Sequence, residues 1–234
     1  MKQLHELITI IIPCKDEKYN IAKCIHSISN QLNIHNTKII IADSSTTHYS
    51  KCILDKLPHK YKNTLNISII DGGYPSEARL NASKLVTTPF ILFLDADMEL
   101  YDKSVIQDCI ILNKDLVTVP INTDKHYNWI FRFFDWNQMM SIKFGIPFAV
   151  GAFQLWNTEY YWSLGGYDKD HIFAEDFALT KKSKTMYIHK TNGVYTSPRR
   201  FQSKGVFYMI RVFLLSFINR NNDEFFKKHH NYWN

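Results

Sequence analysis

Apolar residues come in short unbroken runs through the N-terminal part of the chain, separated by stretches where they recur every three or four positions. Ile8-Thr9-Ile10-Ile11-Ile12 is a β-branched run stopped by Pro13, and it predicts a buried strand. A helix follows the polar turn Cys14-Lys15-Asp16-Glu17, with Ile21, Cys24, Ile25 and Ile28 on one face. Thr37 to Ala42 predicts a second strand ending at Asp43, and after a polar loop a shorter helix carries Cys52, Ile53 and Leu57. Ile67 to Ile70 predicts a third strand, Ser76 to Val86 a helix, and Phe90-Ile91-Leu92-Phe93-Leu94 a fourth strand. Continuously apolar strands separated by helices indicate an α/β fold whose doubly wound, mostly parallel sheet is covered on both faces. Ligands of such sheets sit beyond the carboxyl ends of the strands, where Pro13, Asp43, Asp71 and Asp95 all fall.

The second half is less regular. Trp129, Phe133, Trp136 and Met140 form a helical stripe that reads as core or as acceptor pocket. The apolar stretch from Gly145 to Trp156 returns to the sheet as an antiparallel or edge strand. A helix ends at Gly165-Gly166, and another spans Phe173 to Lys182 with Glu175 and Asp176 in its first turn, where the helix dipole favours acids. Gly205 to Ile218 predicts a last apolar helix whose one charge is Arg211, followed by Arg220, Lys227, Lys228, His229 and His230. An interfacial helix with basic flanks and a core-packing helix both have this pattern.

Composition narrows the functions. Apolar residues at 45% and aromatics at 15% exclude disorder, and a net charge of +6 with a sequence pI of 9.0 favours phosphate-bearing ligands or an anionic surface. No basic stripe interleaves with exposed aromatics, which argues against nucleic acid. Cys14, Cys24, Cys52 and Cys109 form no metal knuckle and no disulfide framework. The first residues lack a signal-like core and no apolar run reaches spanning length, so the expected location is the cytoplasm.

The sharpest chemical feature is Asp95-Ala96-Asp97, just past a buried strand. Two carboxylates on one side of an extended chain repel each other, and a hard cation relieves that repulsion. Mg²⁺ or Mn²⁺ takes one or two carboxylates and completes its shell with substrate phosphate oxygens and water. A phosphatase that uses the first Asp as nucleophile places this pair on its first strand, whereas here it ends the fourth.

The ordered blocks resemble family 2 glycosyltransferases of the GT-A fold. Ile10-Ile11-Ile12-Pro13-Cys14-Lys15-Asp16-Glu17 is similar to the family's opening strand and loop, and Ala42-Asp43-Ser44-Ser45-Thr46 to its second-strand segment. Ala78-Arg79 matches the stretch ahead of the paired acids, Gly165-Gly166-Tyr167-Asp168 with Glu175-Asp176 matches the G-G-F/Y-D … E-D block, and Ser197-Pro198-Arg199-Arg200 matches a basic segment. Leu80 and Ala82 replace the family's frequent Asn and Gly, and Ala42 replaces the first Asp of its pair.

The resemblance implies one GT-A domain, with a nucleotide-binding half to about residue 100, an acceptor half over 101–204, and an apolar helix and basic tail over 205–234. It implies a nucleotide-sugar donor lying against Pro13, Cys14, Asp16 and Glu17, with Asp43 accepting the N3–H of uracil if the donor is a UDP-sugar. Arg79, Arg199 and Arg200 would face diphosphate, Asp97 and Asp95 with Ala96 between them would hold Mn²⁺ or Mg²⁺, and Gly151 and Ala152 would leave room beside the donor sugar. Asp176, with Glu175 as neighbour, would take the acceptor's proton during an inverting transfer of one sugar to a glycan, lipid or protein hydroxyl. The alternatives are a polyprenyl-phosphate sugar synthase with a peripheral membrane contact through 205–234, and a non-catalytic nucleotide-sugar-binding protein.

Overall fold

A computed structural model describes residues 3–228. In chain order the elements are α1 (Leu4–Leu7), β1 (Ile8–Cys14), α2 (Tyr19–Ser29), β2 (Thr37–Asp43), α3 (His48–Tyr61), β3 (Leu65–Asp71), α4 (Pro75–Ser83), β4 (Phe90–Leu94), β5 (Met98–Leu100) and α5 (Val105–Ile111). They continue with β6 (Leu116–Thr118), α6 (Asn128–Lys143), β7 (Phe153–Asn157), α7 (Thr158–Ser163), α8 (Glu175–Thr180), β8 (Tyr187–Ile188), β9 (Val194–Thr196), α9 (Arg199–Lys204), α10 (Val206–Ile218) and α11 (Asp223–Lys227).

Seven strands make one sheet in the order β3-β2-β1-β4-β7-β6-β8, and β5 pairs with β9 beside it. β1 to β4 run parallel, while β7 lies antiparallel between β4 and β6 and is therefore internal, not an edge. The order places β1 between β2 and β4. The chain reverses its winding there, which opens a crevice at the carboxyl ends of β1 and β4.

Alternate residues of each strand feed opposite layers, as the pleat requires. Ile10, Ile12, Ile39, Ile41, Leu92 and Leu94 pack with α2 and α3, whereas Ile11, Ile40, Ile91 and Phe93 pack with α4 and α7. The expected runs are strands, with different limits. Pro13 does not stop β1 but sits inside it opposite Ala42, and α3 passes through Pro58 to run longer than its periodicity suggested.

α10 forms where expected and is only partly buried: Ser216 is its one buried residue, while Phe213 and Phe217 pack against the cluster of Phe148, Phe177 and Phe226. The segment after it behaves differently. Phe226 of α11 is fully buried, and its carbonyl accepts from the amides of Ile172 and Phe173 at 3.0 and 3.1 Å, ahead of α8. The stretch 205–234 is thus not uniformly peripheral, and His229 and His230 lie outside the described residues. No helix among the described residues is long and apolar enough to cross a membrane.

Phe93 lies at the centre of one layer, its ring 5.4 Å from that of Tyr161 and 5.1 Å from that of Tyr167. Phe93→Ala should lower unfolding free energy by about 3–5 kcal/mol. In urea titrations the midpoint should fall while the slope stays unchanged.

Candidate active site

A cavity of about 880 Å³ opens at the carboxyl ends of β1 and β4. Its wall includes Pro13, Cys14, Asp16, Glu17, Arg79, Asp95, Ala96, Asp97, Gly151, Ala152, Glu175, Asp176, Arg199 and Arg200, and so gathers every expected site residue but one. Asp43 ends β2 yet does not line the cavity, and its carboxylate accepts the Ser45 amide at 2.8 Å. Ser44 and Thr46 form that part of the wall instead. Asp43 is the last residue of β2, opposite Cys14 of β1.

The strand-end loops are fastened to one another. Asp16 has a left-handed backbone, φ 53°, and its carboxylate accepts from the amides and hydroxyls of Thr46 and Thr47 at 2.8–3.1 Å. These bonds, led by the Thr47 amide, draw its pKa down to about 2. Asp16 therefore spends its charge on holding the loop after β2. Burial and then Asp43 push the Cys14 thiol up to about 12, so it lines the cavity as a neutral group.

Arg79, on α4, organises the far wall. It is 3% exposed, and its fork donates to Glu175 Oε1 at 2.6 Å and Asp95 Oδ1 at 2.7 Å. Its guanidinium also lies over the Tyr167 ring, 5.4 Å from the centroid. A side chain on Gly151 would put a Cβ 2.7 Å from Arg79 Nη2, so glycine is required there by the arginine; the expectation that it clears space for a sugar is not needed. Glu175 is thereby committed to an ion pair.

Asp176 is held differently. Its Oδ2 accepts the Gly151 amide at 2.7 Å and its Oδ1 the Phe177 amide at 2.8 Å. Burial and then the neighbouring Glu175 raise its pKa to about 6, against the pull of Arg79 and the two amides. It is ionised at neutral pH and still a usable proton acceptor.

Asp95 and Asp97 do not lie on an extended chain. β4 ends at Leu94 and the pair occupies a turn closed by the Met98 amide on the Asp95 carbonyl at 3.2 Å, with both residues on the cavity wall. Burial, then Asp95 and Glu17, push Asp97 up to about 7, opposed by Arg200 and Arg199. Arg199 itself pairs with Glu17 at 2.5 Å. No group of three or more His, Cys, Asp or Glu positioned to hold an ion occurs among the described residues. A site of one or two carboxylates short of positive charge fits a divalent cation whose remaining ligands come from a diphosphate.

The sequence reading missed several wall residues. Asp135 and Gln138 on α6, Phe148, and Met209 and Val212 on α10 extend the cavity, beside Phe213 of the expected apolar helix. Their inward-facing periodicity was present, but the outward aromatics of α6 are larger and hid it. The three departures from the family pattern sit elsewhere. Ala42 and Ala82 are buried, Leu80 packs against the same layer as Ala82, and none lines the cavity.

A winding reversal with acids and arginines at its crevice defines a nucleotide-sugar transferase scaffold of the GT-A type. A family model described as Glycosyl transferase family 2 matches residues 9–165, and the chain belongs to that family. It is 33% identical over 92 residues to the poly(ribitol-phosphate) beta-glucosyltransferase of Bacillus spizizenii, a match that covers 38% of this chain and 14% of that protein. A second match, to the teichoic acid poly(glycerol phosphate) polymerase of Staphylococcus epidermidis, is 33% identical over 94 residues, 40% of this chain and 13% of that protein. Among solved structures, TarS 1–349 of S. aureus in complex with UDP-GlcNAc aligns with a TM-score of 0.61 at 15% identity, over 82% of this chain and 58% of that one. The mannosyltransferase PcManGT of Pyrobaculum calidifontis, in complex with GDP-Man and Mn²⁺, aligns at 0.66 and 15% identity, over 90% of this chain and 64% of that one. These likenesses establish the fold, and the chain spans less than two thirds of each of these relatives.

Arg79→Met leaves two carboxylates without their partner and should destabilise the protein by about 3–5 kcal/mol. Adding Glu175→Gln to that variant should recover part of the loss in urea denaturation, whereas additive losses would mean the pair is not coupled.

Proposed function

We propose that this chain transfers one sugar from a nucleotide-sugar donor to a hydroxyl acceptor, with inversion at the anomeric carbon and dependence on Mn²⁺ or Mg²⁺. The observation that carries this reading is that Asp97, Arg199, Arg200 and Asp176 line one cavity at the carboxyl ends of the parallel strands. The donor's nucleoside would lie along Pro13, Cys14 and the loop that Asp16 fastens. Its diphosphate would meet Arg199 and Arg200, whose forks match phosphate oxygens.

Asp97, with Asp95 beside it, would hold the cation, which when bound offsets charge on the departing diphosphate. The acceptor oxygen attacks the anomeric carbon from the face opposite the leaving group. A carbon–oxygen bond forms, the bond to the diphosphate breaks, and the hydroxyl proton passes to Asp176. Gly151 and Phe177 hold that carboxylate through their amides, and Glu175 stays paired with Arg79 as a positioning residue. The donor named in the sequence reading, a UDP-sugar, rested on Asp43; comparing UDP with GDP in thermal shift decides the base.

Asp97→Asn should lower Mn²⁺-dependent donor turnover by about 10²–10³-fold, the size of losing one electrostatic contact at developing charge. Wild-type turnover in this variant would remove the metal assignment. The base must be ionised, so activity is present above its pKa and lost as pH falls. With Asp176 near 6, kcat/KM should drop about ten-fold per unit below that pH, well before an ordinary carboxylate would titrate. Asp176→Asn should abolish this limb along with most of the rate; a flat profile in the wild type between pH 5 and 8, roughly bracketing that pKa, would contradict the role.

A further inference from the structure

α6 and α10 meet through an edge-to-face contact of Phe134 and Phe213 at 5.4 Å between ring centres. Their inward faces close the apolar arm of the cavity through Phe134, Gln138, Met209 and Phe213. Their outward faces are uncovered. On α6 Trp129 is 62%, Phe133 47% and Trp136 51% exposed, and on α10 Phe207 is 89% and Ile218 70% exposed. Isolated exposed apolar residues are ordinary, but an aromatic face spread over two adjacent helices marks an interaction surface.

The charge around this face selects its partner. Beyond Arg199 and Arg200, which line the cavity, residues 201–222 carry Lys204, Arg211 and Arg220 and no Asp or Glu. Lys125, next to the exposed Asp124, precedes α6 and Lys143 ends it, and Lys204, Arg211 and both of these lysines are exposed. Apolar aromatics bordered by cations fit the boundary between headgroups and acyl chains of an anionic bilayer, where Trp and Phe insert and Lys and Arg meet phosphate. The thirteen residues of α10 span only about 20 Å, short of the ~30 Å hydrocarbon core, so the helix suits lying in the interface.

We propose that the outward faces of α6 and α10 dock on an anionic membrane surface and bring the apolar arm of the cavity to the lipid. This deepens the transferase reading and rests on it in one respect: the acceptor hydroxyl it implies is lipid-linked, with its tail under α6 and α10 and its head toward Asp176. The contact differs from the one expected from sequence in that α11 packs inward.

The test is co-sedimentation of the full chain with phosphatidylcholine vesicles, with and without phosphatidylglycerol. Wild-type protein should bind the anionic vesicles, weakly the neutral ones, and show tryptophan quenching by brominated lipid. The variant Trp129→Ala/Trp136→Ala/Phe207→Ala should lose at least about ten-fold in partitioning, equivalent to ~1.4 kcal/mol, and Arg211→Glu should weaken anionic binding alone. Titration calorimetry with UDP and with GDP on the same proteins should be unchanged between wild type and variants, so failure to bind either nucleotide would sink the donor reading without touching vesicle binding. Wild-type protein left in the supernatant, a triple variant that partitions normally, or a dimer in sedimentation equilibrium that the triple variant dissolves would each overturn the proposal.

Discussion

A buried arginine between two carboxylates is the constraint around which this site is built. Arg79 has almost no contact with solvent, and a guanidinium cannot shed its charge, so the fold must surround it with acids. Asp95 arrives from the end of β4 and Glu175 from the start of α8, and the one fork fixes the distance between those elements. Gly151 must then be small because the guanidinium occupies the space its side chain would take. Its amide in turn fixes Asp176. A single charge thus sets the spacing between the paired acids on one wall and the candidate base on the other.

That network divides the acids of the cavity by task. Asp16, Asp95 and Glu175 are committed to internal partners. Asp97 and Asp176 are not neutralised in this way, and burial with like-charged neighbours raises both pKa values. Burial raises Asp135 on α6 as well, to about 6, but it pairs with Arg132, which leaves Asp97 poised to gain a cation and Asp176 to gain a proton. The fold thus separates Asp97 and Asp176 from the acids already held by internal partners.

β1, β2 and β4 were legible because they are buried on both faces and so write themselves as unbroken apolar runs, whereas β3 at the sheet edge is only half-buried and carries Asn66 and Ser68. α3 was harder, since Pro58 interrupts its text but not its helix. The stripe on α6 was misread for a deeper reason. Periodicity says which residues share a face, not what lies opposite, and Trp129, Phe133 and Trp136 share a face turned to the outside. Asp43 stands at a strand end as expected, but its local bond to the Ser45 amide was not readable from sequence. Gln138 and Phe148 were invisible because nothing in their neighbourhood differs from ordinary helix or loop text.

The most direct measurement is anomalous diffraction from a crystal grown with Mn²⁺ and a nucleoside diphosphate. The account predicts a manganese peak within coordination distance of Asp97, with the diphosphate between it and Arg199 and Arg200. A peak elsewhere, or a diphosphate bound away from these residues, would contradict it.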